Sequence, residues 1–192
     1  MYYVRTAGGR GRMNILGISA KAGCGKTVLT GLLLERLGPT WIRMSLGDGV
    51  KQEASEIYNF PLEWCYSQEG KNRVVPGYGR LVREILQYHG TEVRRAEDPE
   101  YWHKYLLTRK PADRNIIIDD VRFPDEVDFI HRYNGRVIRL QPYDGYRKVN
   151  DHSSETALDD YTGFDAVYAP RFGELASLVN LITGGESKKT ES

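Results

Sequence analysis

The sequence is poor in several features that would settle its chemistry at once. It carries only two cysteines, Cys24 and Cys65, in 192 residues. That excludes a disulfide framework and a four-cysteine zinc site. No apolar run approaches the roughly 20 residues that cross a bilayer, and the first residues lack the apolar stretch of a signal peptide. A cytoplasmic protein with no membrane partner is therefore expected. Charge of one sign is lacking too: 27 basic residues face 26 acidic ones, for a net charge of +1. Total charge thus offers no broad basic surface, and no duplex nucleic acid is expected as a partner. No internal repeat is visible.

What is present is an ordinary globular composition, 40% hydrophobic and 28% charged, at a length that suits one domain. The basic residues are uneven in kind, 18 arginines against 9 lysines. Arginine presents a rigid fork of donors that matches phosphate and carboxylate. The 13 tyrosines suit a monomer or a homodimer.

Short apolar runs alternate with amphipathic ones. Strands are expected at Asn14–Ser19, Trp41–Ser45, Asn115–Asp119, Arg136–Leu140 and Ala166–Tyr168. Helices are expected at Thr27–Leu37, Gly47–Tyr58, Tyr78–His89, Asp98–Thr108, Pro124–Tyr133 and Phe172–Ile182. In the fourth of these Asp98 reads as the cap and Pro99 as the first helical residue. Ser67–Gly79 and Gln141–Thr162 read as loops, the latter with one helical turn at Glu155–Asp160. Residues 1–12 read as a flexible leader and 184–192 as a flexible tail around a core of 13–183. The order implies an α/β fold, a parallel sheet of about five strands with helices on both faces. Ligands on such sheets bind at the carboxyl ends of the strands.

At the first strand end stands AKAGCGKT, residues 20–27. It meets the phosphate-loop pattern G-x-x-x-x-G-K-[ST] except at Ala20, which alanine can occupy if φ is negative there. Backbone N–H groups of Ala22, Gly23, Cys24 and Gly25 would face phosphate oxygens, aided by the N-terminus of the next helix. Lys26 would reach the β- and γ-phosphates of ATP, and the Thr27 hydroxyl would hold Mg²⁺. At a second strand end, IIIDDVRFPDE (116–126) supplies Asp119, which fits an acidic group that orients Mg²⁺ directly or through water. Asp120 and Arg122 follow it. Arg139 stands just before the loop 141–162 and Arg147 within it, and that loop could close over ATP as a lid.

No N-K-x-D segment is present, so a GTPase is disfavoured. A small P-loop chain with arginines at several loop positions suits a kinase of small molecules. A phosphate acceptor is already ionised at neutral pH, its second pKa being about 6, and needs no general base.

Six segments together resemble the phage-type deoxynucleoside monophosphate kinases, within the P-loop nucleoside monophosphate kinases. They are ISAKAGCGKT (18–27), GDGVKQEASEIY (47–58), REILQYHGTEVRR with DPEYW (83–95, 98–102), IIIDDVRFPDE (116–126), GRVIRL (135–140) and DHSSETALDD (151–160). The resemblance implies ATP- and Mg²⁺-dependent phosphorylation of deoxynucleoside monophosphates, for DNA precursor supply in a host cytoplasm. It implies a monophosphate-binding helical region at about 46–108. Within it Lys51, Arg83, Gln87, Thr91 and Trp102, with Asp120 and Arg122, would serve the acceptor. Lys26, Arg83 and Arg122 would serve catalysis. His152, Ser154 and Glu155 fall near the lid side, and which of Arg94 and Arg95 points inward stays open. The alternatives are a P-loop kinase of another small acceptor and a non-catalytic nucleotide-binding regulator that uses residues 1–12 as a basic arm.

Overall fold

The computed structural model describes residues 14–143, 156–171 and 173–184. The expectations for residues 1–13, Arg147, His152, Ser154, Glu155, Phe172 and 185–192 lie outside the described residues. So does most of the loop 141–162.

The chain forms two compact units, Met44–Lys110 being one and the residues on either side of it the other. The flanking unit holds a five-stranded sheet. Its strands are β1 (Ile15–Ala20), β2 (Trp41–Met44), β3 (Asn115–Ile118), β4 (Arg136–Leu140) and β5 (Ala166–Tyr168), in spatial order β2-β3-β1-β4-β5. The pairings β1–β3, β1–β4 and β4–β5 are parallel, with Gly17 facing Ile118 on one side and Val137 on the other. Ile15, Leu16, Ile18 and Ile116, Ile117, Ile118 are all buried, as strands covered on both faces must be. The α/β fold read from the sequence is observed.

Among the described residues three helices cover this sheet: α1 (Lys26–Leu37), α6 (Pro124–Arg132) and α7 (Leu175–Thr183). Leu29 and Leu33 of α1 and Leu178, Val179 and Ile182 of α7 pack with Leu16, Ile18, Ile117, Ile138 and Leu140 in one core. Gly17 faces the other way. A Cβ there would lie 2.6 Å from Ile130 Cδ1 of α6, and close to Val137 and Val121. Only a residue without a side chain lets α6 sit this near β1. Gly17→Ala is expected to cost about 1–3 kcal/mol by overpacking. Urea denaturation measures it, and an unchanged midpoint contradicts the close packing.

The second unit is helical. It contains α2 (Leu46–Ile57), a 3₁₀ turn (Leu62–Tyr66), α3 (Gln68–Lys71), α4 (Val82–Gln87), a π-helix (Tyr88–Arg95) and α5 (Tyr101–Arg109). Ala54, Phe60, Cys65, Val75, Val82 and Ile85 form its core.

Several boundaries correct the sequence reading. α4 begins at Val82 rather than Tyr78, because Gly77 and Gly79 take positive φ and Val75 N–H donates to Arg80 O. The Glu84 carboxylate accepts the Leu81 N–H and so fixes the new start. The coil does not stop at His89 but runs to Arg95 as a wider helix. α5 begins at Tyr101, not at Pro99: Asp98 Oδ1 takes the Glu100 N–H at 3.0 Å, and Asp98 O takes that of Tyr101. That is a turn, not a cap followed by a first helical residue. Four residues of the expected loop 67–79 form α3, capped by Ser67 Oγ on the Gly70 N–H. α7 begins at Leu175 and ends on Gly184.

Candidate functional site

In the sheet unit the loop after β1 has the backbone its sequence requires. Gly23 and Gly25 sit at φ 82° and 84°, the left-handed region that favours glycine. Gly25 is also the residue from which α1 starts, with Leu29 N–H donating to Gly25 O. Cys24 N–H donates to Lys21 O and closes the turn. Ala20 ends β1 and, among the described residues, positive φ outside glycine occurs only at Asn59 and Asn134. The missing first glycine therefore costs the loop no strain. Lys26 Nζ donates to Ala20 O at 3.2 Å, so the ammonium arches back over the loop. Thr27 is exposed in the first turn of α1, and Ala22 is half-buried.

Asp119 directly follows β3 and is 5% exposed. Its Oδ2 accepts Arg43 Nε at 2.7 Å. Its Oδ1 is buried and accepts no hydrogen bond. Burial pushes the carboxyl above the usual carboxylate range, and the Arg43 hydrogen bond and charge oppose that. Asp120 raises it further, and the Lys26 ammonium lowers it. Lys26 and Asp119, from two strand ends, therefore share one electrostatic environment. Asp120 and Arg122 are half-buried. The N–H groups of Arg122 and Phe123 both donate to Glu126 Oε2, at 2.6 and 3.1 Å, so Glu126 sets the backbone of the turn that carries Arg122. Pro124 then opens α6, as suits a first helical position.

Arg139 pairs in register with Ser19 across β4 and β1. Its Nη1 donates to Ser19 Oγ at 2.7 Å, and its Nη2 lies 3.4 Å from Asp159 Oδ1. The same carboxylate pairs with Lys21 of the loop after β1. Arg139 thus lies against the first strand end, with its side chain only 11% exposed.

No three His, Cys, Asp or Glu side chains among the described residues are grouped to enclose a metal ion. What stands here instead is Asp119 Oδ1, buried and without a hydrogen bond, and the Thr27 hydroxyl at the head of α1. That donor set fits Mg²⁺, which keeps waters and is held through one or two carboxylates plus substrate phosphates.

In the helical unit Lys51 on α2 bonds Asp48 Oδ1 at 2.7 Å and stands 4.8 Å from the centre of the Tyr66 ring. Arg83 and Gln87 are exposed on α4, one turn apart. Thr91 is half-buried within the π-helix, a form that commonly marks functional segments. Trp102 is in the interior, 3% exposed, with Nε1 donating to Gly90 O at 3.0 Å and its ring against His89, Tyr101 and Tyr105.

Two groups of this unit escaped the sequence reading. Glu53 on α2 accepts Arg94 Nε and, through Oε2, the Tyr101 hydroxyl at 2.7 Å. Arg94 is thus the inward member of the Arg94–Arg95 pair, and Arg95 is half-buried. His89, 1% exposed, has Nε2 3.4 Å from Glu53 Oε1 and Nδ1 3.4 Å from the Tyr58 hydroxyl. Burial lowers the His89 pKa against the pull of Glu53, so the ring stays neutral and its protonation disfavours the fold as pH falls. Arg94→Ala would leave Glu53 largely buried without its counter-charge. About 2–3 kcal/mol of stability should be lost, less than for a fully buried pair because Arg94 is 27% exposed. Urea denaturation measures the loss, and an unchanged midpoint contradicts a structural pair. The only signal in the sequence was the Glu53–Arg94 charge pair itself, with nothing to place α2 beside the π-helix.

No family model matches this sequence. A curated protein of Acanthamoeba polyphaga mimivirus named "Putative deoxynucleotide monophosphate kinase" is 27% identical over 172 residues, 81% of this chain and 87% of that protein. It agrees with the resemblance carried by the six segments. Shikimate kinase from Bacteroides thetaiotaomicron superposes with a TM-score of 0.47 at 14% identity, covering 90% of this chain and 97% of that one. At that level neither substrate nor site residues transfer. Among the described residues no helix is long and apolar enough to cross a membrane.

Proposed function

We propose that the chain is a phosphotransferase that moves the γ-phosphoryl group of ATP onto a deoxynucleoside monophosphate, giving the diphosphate. The observation that carries this is the pairing of a phosphate loop in working backbone conformation with Asp119, buried and with Oδ1 unpartnered, at the neighbouring strand end. The mimivirus relative supports the choice of acceptor.

In this reading the N–H groups of residues 22–25 and the head of α1 cradle the phosphates of ATP. Lys26 leaves the Ala20 carbonyl for the β- and γ-phosphates. Thr27 and Asp119 hold Mg²⁺, directly or through water. When bound, Mg²⁺ neutralises charge on the transferred group. Arg122 supplies positive charge beside the transferred group from the turn after β3. Arg139 binds ATP from β4, against Ser19. Arg147, in the 141–162 segment, is assigned to ATP by sequence alone.

Lys51, Arg83, Gln87 and Thr91 bind the acceptor; Asp120 is assigned to it by sequence alone. The buried Trp102 serves it indirectly, its Nε1 holding Gly90 O of the π-helix that carries Thr91. The acceptor phosphate is ionised at neutral pH, so transfer needs positioning and charge rather than a general base.

A coupled ADP-release assay with ATP and Mg²⁺ tests the acceptor class, using a deoxynucleoside monophosphate beside its parent nucleoside. Turnover with the monophosphate alone is expected. Turnover with the nucleoside and none with its monophosphate would assign the chain to another class of kinase.

A further inference from the structure

Resting on the assignment of Asp119 to Mg²⁺, we propose that Arg43 is a positioning residue for the metal, fixing the Asp119 carboxylate so that one defined oxygen is left to face the ion or its water. Arg43 carries no role in the sequence pattern. It lies in β2, two residues after Trp41, which packs on the core shared by α1 and α7. Strand side chains alternate, so Arg43 leaves β2 on that same face. The spatial order β2-β3-β1 then brings it beside the end of β3, although 76 residues separate it from Asp119.

The contact is asymmetric. The Arg43 side chain is 43% exposed, whereas that of Asp119 is 7% exposed. A surface guanidinium reaches in to a buried carboxylate and takes Oδ2 at 2.7 Å. Oδ1 is left buried and without a hydrogen bond. An orphaned buried carboxylate oxygen is costly unless something binds it. A carboxylate free to rotate about χ2 would present either oxygen. One held at Oδ2 by a charge-assisted bond presents only Oδ1. Arg43 thereby does for Asp119 what outer-shell partners do for metal ligands generally, where their loss costs about 10- to 100-fold in metal affinity or activity.

The test is equilibrium binding of a non-hydrolysable ATP analogue by calorimetry, in EDTA and in Mg²⁺, for wild type, Arg43→Ala, Arg43→Lys and Asp119→Asn. The readout is the gain in affinity that Mg²⁺ brings. Arg43→Ala should cut that gain about tenfold while affinity in EDTA stays within about twofold. Arg43→Lys, which can still donate to Oδ2, should keep most of it. Thermal unfolding of the ligand-free variants shows that each is folded, and Arg43→Lys supplies the comparison if Arg43→Ala is not. An Mg²⁺-dependent gain that is unchanged or larger in Arg43→Ala, with Asp119→Asn losing it, overturns the role of Arg43 and leaves Asp119 in place. A gain unchanged in Asp119→Asn overturns both the metal role of Asp119 and the inference that rests on it.

Discussion

Replacing Lys26 by alanine is expected to lower kcat/KM for phosphoryl transfer by at least about 3–4 kcal/mol, a hundred- to a thousandfold, as for other donors aimed at charge that develops in the transition state. The fold should survive. Gly23 and Gly25 hold the loop by their own backbone conformation, and the Cys24–Lys21 turn and the Leu29–Gly25 bond use main-chain groups. None of these needs the Lys26 side chain. Lys26→Ala loses the bond from Nζ to Ala20 O, so the variant should stay folded with stability lowered by no more than about 1.5 kcal/mol. Full activity in this variant would remove the loop from the chemistry.

Arg83→Ala and Arg122→Ala form the second large prediction. Each should cost at least about 2–3 kcal/mol of transition-state stabilisation. The two differ in what else they disturb. Arg83 is exposed on α4, so its truncation should change stability by no more than about 0.5 kcal/mol. As an acceptor-phosphate contact it should raise the acceptor KM and leave the KM for ATP alone. Arg122 sits in a turn whose backbone is held by Glu126 through the N–H groups of Arg122 and Phe123. Truncating the side chain leaves those bonds intact, so a fall in kcat would report lost charge at the transferred group. Steady-state kinetics with both substrates varied separate the cases, and near-normal kcat/KM in both variants rejects the assignments.

The centre of the sheet was legible in the sequence because β1 and β3 are buried on both faces and so read as unbroken apolar runs; Ile116, Ile117 and Ile118 are the clearest case. The turn over residues 20–27 was legible because its pattern is local, eight consecutive residues between a strand and a helix with glycines where φ is positive. Helix starts were less so. A pattern such as Asp98-Pro99-Glu100 serves a cap and a turn equally well until the Asp98 carboxylate and carbonyl are seen to take successive N–H groups. The π-helix was illegible because a 3.6-residue period carries no mark of the wider turn after Gln87. Arg43 with Asp119, Lys21 with Asp159 and Arg94 with Glu53 were hidden for a further reason. Each pair joins residues far apart in the chain through strand order or helix packing, which local pattern does not encode.

These pairs also revise the meaning of the arginine excess. Arg43 and Arg139 are engaged at strand ends, with Asp119 and with Ser19 and Asp159. Arg73, Arg80, Arg94 and Arg109 stand over the rings of Trp64, Tyr88, Tyr101 and Tyr105 in the helical unit. Part of the excess therefore serves cation–π and ion-pair packing, and only part is left for the phosphate roles proposed above.

The central claim is the identity of the acceptor, and one measurement addresses it most directly. The four deoxynucleoside monophosphates and their ribose counterparts are each incubated with ATP, Mg²⁺ and the full chain, and the products are identified by mass. Formation of a deoxynucleoside diphosphate together with equimolar ADP, lost in Lys26→Ala, is the predicted result. ADP release without any diphosphate product across the eight acceptors would contradict it.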